Sequence, residues 1–184
     1  MPRKRKIIVW ITTSADGFIA RSDGGIDWLN RPRPKGNYGM GAFYKSIDTT
    51  LWGRKTYDMA LEYQAKGVSG TSFDTSVKNY LFSHNEPQSP PPAGVEFVRE
   101  SIKAFATRLR AEEGKDIWIM GGAGIIASFL DASEIDEFMI HVVPTFIGEG
   151  IPLLAPARRN APLKLIASKK FPDGVVRLHY SVPK

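Results

Sequence analysis

Apolar residues along this chain come in short blocks cut apart by glycine and proline. Ile7 to Thr13 is dense in Ile, Val and Trp with little polar alternation, the pattern of a central strand buried on both faces. It runs into Ser14-Ala15-Asp16-Gly17-Phe18-Ile19-Ala20, a turn signal with Asp16 as turn former before Gly17. Residues 21–41 hold too many breakers for a regular element, among them Gly24-Gly25, Pro32, Pro34, Gly36 and Gly39. A long loop is expected there, either a lid or binding loop or simple disorder. Phe43, Tyr44 and Ile47 would line a short helix that leads into a strand at 48–52. A helix follows from Arg54 to about Gln64, then a Gly/Ser/Thr loop over 65–76. Lys78 to Ser83 reads as a strand, 87–92 as a surface turn, Val95 to Val98 as a short strand and Ile102 to Glu112 as an amphipathic helix. Ile117 to Met120 and Ile135 to Val143 are further strands, and 125–130 has helical spacing between them. Segments 163–171 and 174–182 flank Pro172-Asp173-Gly174 as an antiparallel hairpin. This order predicts a three-layer α/β fold with a mainly parallel central sheet, helices on both faces and an antiparallel C-terminal edge.

Two of the strand-to-helix changes share one chemistry. The run Ile117-Trp118-Ile119-Met120 stops at Gly121-Gly122-Ala123-Gly124 and turns helical from Ile125, while the earlier strand stops at Gly53 and Arg54-Lys55-Thr56 opens a helix. Small residues there let backbone N–H groups approach an anion, and the helix dipole favours it. Close helix–sheet packing explains the same glycines, and both readings stay open. Two such junctions on one sheet suit a dinucleotide. In such sheets a carboxylate at the end of the next strand selects NAD; here Ser83-His84-Asn85 offers a hydroxyl, an imidazole and an amide, with Arg54 and Lys55 nearby. That set favours NADPH over NADH, although Ser-His-Asn also reads as a plain turn.

Composition narrows the class. A chain of 184 residues, 42% hydrophobic and 24% charged, fits one domain over 1–184 that buries its own core. With no cysteine, thiol chemistry and cysteine-ligated metal are excluded, and three scattered histidines suggest no metal site. No apolar run is long enough for a bilayer and no signal-peptide pattern follows the N-terminal charges, so a cytoplasmic protein without a membrane partner is expected. The net charge of +6 favours anions, but Arg3-Lys4-Arg5-Lys6 concentrates part of it in what reads as a solvated basic tail over residues 1–5. A nucleic-acid arm is the alternative for that tail. No nucleic-acid motif supports it in the rest of the chain.

The chain resembles the dihydrofolate reductase-like superfamily, in particular the reductase domain of riboflavin biosynthesis. The matching pieces, in the expected order, are the first strand with residues 14–20, Gly24-Gly25-Ile26-Asp27-Trp28-Leu29, Gly53-Arg54-Lys55-Thr56-Tyr57, Gly121-Gly122-Ala123-Gly124, and Ile135-Asp136-Glu137 leading to Pro144-Thr145-Phe146-Ile147-Gly148-Glu149-Gly150. The resemblance implies NADPH across the strand ends. Its 2′-phosphate would lie near Arg54, Lys55 and Ser83 to Asn85, its pyrophosphate over Thr56 and Gly121 to Ile125, and its nicotinamide near Thr12, Thr13, Ile19 and Ala20. It also implies a homodimer. Dihydrofolate reductases carry a buried carboxylate on the helix before the Gly-Arg-Lys-Thr turn, whereas residues 38–45 here contain no Asp or Glu. Folate is therefore not the expected substrate, and a small heterocyclic or carbonyl-type compound is.

Hydride transfer needs orientation, a dry pocket and one proton. Asp27, beside Trp28 on the loop, is the candidate proton donor if its pKa is raised; as the alternative it caps a short helix begun by Trp28. Trp28, Phe43 and Tyr44 are the expected pocket walls. The competing functional readings are a nucleotide-binding module of the same fold without turnover, and a true dihydrofolate reductase.

Overall fold

The computed structural model describes residues 4–66, 74–83, 85, 91 and 94–184. His84, most of the expected loop at 65–76 and all of the expected 87–92 turn except Pro91 lie outside the described residues. The strands are β1 (Ile7–Ser14), β2 (Phe18–Ala20), β3 (Ile47–Gly53), β4 (Lys78–Phe82), β5 (Val95–Phe97), β6 (Asp116–Gly121), β7 (Glu137–Val143), β8 (Ile151–Pro152), β9 (Lys164–Lys170) and β10 (Val176–Ser181). The helices are α1 (Met40–Ser46), α2 (Arg54–Ala65), α3 (Ile102–Ala111) and α4 (Ala123–Asp131). One eight-stranded sheet runs in the order β5-β4-β3-β6-β1-β7-β10-β9, and β2 pairs separately with β8. Strands β5 through β7 are mutually parallel, while β10 is antiparallel to both β7 and β9.

The two faces of β1 explain the layers. Ile7, Val9 and Ile11 point into one apolar cluster with Phe105, Ala106 and Leu109 of α3 and Ile126 and Phe129 of α4. Ile8 and Trp10 point the other way, against Phe43 of α1 and Trp118, and farther along that face Tyr57 and Ala60 of α2 cover Trp52 and Leu81. With both faces covered, a central strand has no polar side and the sequence shows little alternation.

Two expectations need correction. Arg5 is not part of a free basic tail, because it is only 2% exposed; residues 1–3 lie outside the described residues. Its guanidinium pairs with Asp48 and donates to Thr49 Oγ1 (2.7 Å), Lys115 O (2.7 Å) and Leu109 O (3.2 Å). A fixed fork of donors meeting four oxygens allows the charge to be buried. Gly114 fits around this pair: at φ +156°, a Cβ there would sit 2.5 Å from Asp48 Oδ2. Lys6 is also engaged, donating to Glu137 Oε1 at 2.5 Å.

The 21–41 segment is not wholly irregular either. It contains single turns of 3-10 helix at Asp27–Leu29 and Asn37–Gly39, and α1 begins inside it at Met40. Trp28 is buried against Val143, Phe171 and Val175. Farther along, Tyr38 Oη donates to Asp173 Oδ2 (2.6 Å) and Arg31 to Asp173 O (2.5 Å), strapping the loop to the β9–β10 turn. Asp16 exceeds its expected turn role by accepting from the Ile147 and Gly148 amides at 3.1 and 2.8 Å, which ties the β1–β2 turn to the loop before β8.

Candidate active site

The carboxyl ends of β1, β3, β4 and β6 lie side by side, and the two glycine junctions meet there. Trp52 is in register with Gly121. A Cβ on Gly53 would sit 3.1 Å from Ile125 Cγ2 and 3.3 Å from Gly121 O, and one on Gly122 would sit 3.1 Å from Thr56 Oγ1. Close packing of strand end on helix start is therefore part of the reason for these glycines. It is not the whole reason, because Gly124 is exposed and a Cβ there would meet no atom within 4 Å.

Both helices start uncapped. Gly122 and Gly53 hold the N-cap positions of α4 and α2 without a side-chain hydrogen bond, and neither first turn contains an acid. In α4 the first helical bond runs from Ile126 N to Gly122 O at 3.2 Å, so the amides of Ala123, Gly124 and Ile125 precede any intrahelical acceptor. Two positive dipole ends thus face one place, each favouring an anion by about 0.3–1 kcal/mol.

Among the expected cofactor residues, the structure brings Gly53 and Thr56 against Gly121, Gly122 and Ile125, with Arg54 and Lys55 on the first turn of α2 and Ala123 and Gly124 on that of α4. Lys55 is exposed. Arg54 is turned along its own helix, its Nε 2.8 Å from Asp58 with both side chains part-exposed. Ser83 follows β4, adjacent to β3, and its hydroxyl accepts from the exposed Asn85 amide at 3.2 Å. Thr12 and Thr13 lie at the carboxyl end of β1, just before its last residue, Ser14. Ile19 packs against the main core, and Ala20 is in register with Ile151 of β8.

Beside Thr12 opens a cleft of about 80 Å³, walled by Leu29, Arg31, Arg33 and Tyr38 from the loop. Its floor contains Thr12 of β1 and His141 of β7, which are in direct register; His141 is in turn opposite Arg177 of β10. His141 is 2% exposed, and neither ring nitrogen makes a hydrogen bond of normal geometry among the described residues; the Ile11 backbone acts on the ring as a weak, poorly aligned partner. Burial and then the Arg177 guanidinium push its pKa down to about 4, against a smaller opposing effect from the Ile11 backbone. The imidazole is neutral at pH 7.

The expected pocket residues are placed differently. Phe43 stacks on Trp10 with ring centroids 4.4 Å apart and belongs to the core. Tyr44 Oη donates to Asp74 (2.8 Å), and burial with that carboxylate raises its pKa to about 12. Trp28 packs behind the cleft lining with Val143 and Val175. Asp27 gives up both roles considered for it. It is itself the first residue of its helical turn, with Ile26 at the N-cap, and its side chain is 65% exposed and clamped by Arg21 Nε (2.6 Å) and Nη2 (2.9 Å). That bond holds its pKa below the ordinary carboxylate value, the opposite of what a proton donor requires.

The model of the RibD C-terminal domain matches residues 5–177. This chain belongs to the RibD C-terminal domain family. It is 37% identical over 177 residues to the uncharacterized protein YwjB of Bacillus subtilis, covering 96% of this chain and 98% of that protein. A solved structure of a Shewanella sp. PV-4 protein, provisionally named for riboflavin biosynthesis, superposes with a TM-score of 0.84 at 27% identity, covering 97% of this chain and 99% of that one. Dihydrofolate reductase from Enterococcus faecalis, solved with NADP(H) and RAB-propyl, is similar in fold, with a TM-score of 0.64 at 15% identity over 97% of each chain. The dihydrofolate reductase-like expectation thus holds for the fold, and the expectation of a riboflavin-biosynthesis reductase domain holds for the family. In this RibD-type domain the cleft is lined by Tyr38 and His141, with Arg177 opposite His141 on β10, three residues that carry no motif in the sequence. His141 reads as one more inward residue of a strand, and only the register shows that it stands between Thr12 and Arg177.

Proposed function

We propose that this protein is an NADPH-dependent reductase acting on a small heterocyclic or carbonyl-type substrate held in the cleft beside Thr12. Family members in riboflavin biosynthesis are reductases, which supports the reaction class. The observation that carries the reading is the meeting of two uncapped, glycine-led helix N-termini at the ends of β3 and β6, next to β1, whose Thr12 borders a cleft. The residues fit a dinucleotide: Gly124 leaves its helix end open, and Thr56 offers a hydroxyl at the junction. In this reading Thr56 and Gly121 to Ile125 hold the pyrophosphate, Lys55, Ser83 and Asn85 with a released Arg54 face the 2′-phosphate, and Thr12, Thr13, Ile19 and Ala20 border the nicotinamide. When bound, NADPH supplies the hydride. The chain orients both partners and keeps the cleft floor dry, with Trp10, Val143 and Val175 lining it.

No described residue lining the cleft is acidic, which favours a second reading, cofactor binding without turnover. It also sets the site apart from a folate site, since α1 (Met40–Ser46) carries no carboxylate. Calorimetric titration with NADPH and NADH, followed by NADPH oxidation with a panel of cyclic ketones, imines and amino-pyrimidines, tests the proposal. Tighter NADPH binding with turnover supports it, binding alone supports the second reading, and no binding refutes both. The expected homodimer belongs to the same proposal, and light scattering reads it directly. Among the described helices none is long and apolar enough to cross a membrane.

A further inference from the structure

His141 is buried in a box that an apolar ring would fill. Its ring centroid lies 4.6 Å from Trp10, 5.7 Å from Tyr38 and 6.2 Å from Phe171. Placing two nitrogens without a well-formed hydrogen bond in such a box lowers stability, since buried polar groups are normally paired. The fold gains little from those nitrogens, which meet only the Ile11 backbone weakly, yet His141 lines the cleft floor beside Thr12, with Arg177 opposite it on β10. Polar residues kept against stability are characteristic of functional sites.

We infer that His141 contacts the substrate, its neutral imidazole donating a hydrogen bond to the heteroatom of the C=O or C=N group that is reduced. This rests on the reductase reading above. Reduction adds hydride at carbon, moves the π electron pair onto the heteroatom, and ends with a proton from water; the two electrons come from the reduced nicotinamide. An N–H donated to the heteroatom stabilises the charge that develops there. His141 itself neither gains nor loses a proton. The groups around it keep it neutral: Arg177 stands beside it on β10, Arg31 and Arg33 line the cleft from the loop, and Asp173 is committed to Tyr38 and Arg31. Thr12, on the nicotinamide side, offers a hydroxyl next to the same group.

The test uses the whole protein as wild type, His141→Phe and His141→Gln, with 2-pyrrolidinone as a small carbonyl probe. Phe keeps the ring without its nitrogens, and Gln restores one N–H. His141→Phe is expected to melt several degrees higher than wild type while losing at least tenfold in probe affinity, with part of that affinity recovered in His141→Gln. In wild type the probe should shift the His141 ring nitrogens in ¹⁵N spectra. A lower melting temperature in both variants would show a structural role and overturn the inference, as would a probe that leaves the His141 resonances unmoved or binds His141→Phe equally well. NADPH affinity is measured in parallel and is expected to be unchanged in both variants. Failure of wild type to bind NADPH would overturn the reductase reading and the hydride step with it, even with the probe results intact.

Discussion

Replacing Gly124 with alanine separates the two explanations of the glycine junction. Gly124 is the second residue of α4, exposed, and open on the side where a methyl group would project. Alanine is favoured over glycine in a helix by about 0.5–1 kcal/mol, and about 1 kcal/mol moves the melting point of a chain this size by roughly 2–4 °C. The protein without ligand should therefore melt about 1–4 °C higher. A phosphate on the amides of α4 would meet the new methyl group. Losing one charge-assisted hydrogen bond costs about 1.5–3 kcal/mol, or about 10- to 150-fold in affinity. Melting curves with and without NADPH, together with calorimetry, read both effects in one variant. A higher melting point with unchanged NADPH affinity would refute the phosphate site. Gly122→Val is a less clean test, because its Cβ presses on Thr56 Oγ1 at 3.1 Å and disturbs packing before any ligand arrives.

Alanine at both Arg54 and Lys55 should weaken NADPH at least tenfold more than NADH while changing stability by less than about 0.5 kcal/mol, since the Arg54–Asp58 pair is part-exposed; equal losses for the two cofactors in calorimetry would count against the 2′-phosphate assignment. Asp27→Asn should leave NADPH affinity and turnover within about twofold, because the exposed carboxylate is bound to Arg21, and a tenfold loss of turnover at constant NADPH affinity would restore Asp27 as the acid. Arg5→Met should cost about 2–4 kcal/mol in chemical denaturation by stranding Asp48 and three further acceptors; a loss below about 0.5 kcal/mol would return Arg5 to a free tail. His141 has a folded-state pKa depressed to about 4 from 6.5, so as pH falls below 6.5 the unfolded chain takes up the proton first and stability drops by about 2 kcal/mol by pH 5. His141→Phe should flatten that part of the pH profile, and an unchanged slope would contradict the assignment.

The fold was legible wherever one element's own residues determine it. β1 and β6 read correctly because continuous apolar runs leave no choice of face, and the C-terminal hairpin because Gly174 follows Asp173 at a turn closed by Gly174 N donating to Phe171 O at 3.0 Å. Both glycine-led strand-to-helix junctions were visible because each is local. What escaped depends on contacts distant in sequence. Arg5 looked like tail because its acceptors on Asp48, Thr49, Leu109 and Lys115 are more than forty residues away. The cleft escaped for the same reason, since Thr12, His141 and Arg177 meet only through strand register. Asp27 misled because an aromatic neighbour suggested burial, while Arg21, six residues earlier, holds the side chain at the surface.

The central claim is that a dinucleotide lies across the two helix starts, and amide hydrogen exchange tests it residue by residue. On addition of NADPH, the amides of Ala123, Gly124 and Ile125 and those of Lys55 and Thr56 should slow together by tenfold or more, with a smaller effect from NADH. NADPH binding that leaves these five amides unchanged, or protects only residues elsewhere, would contradict the account.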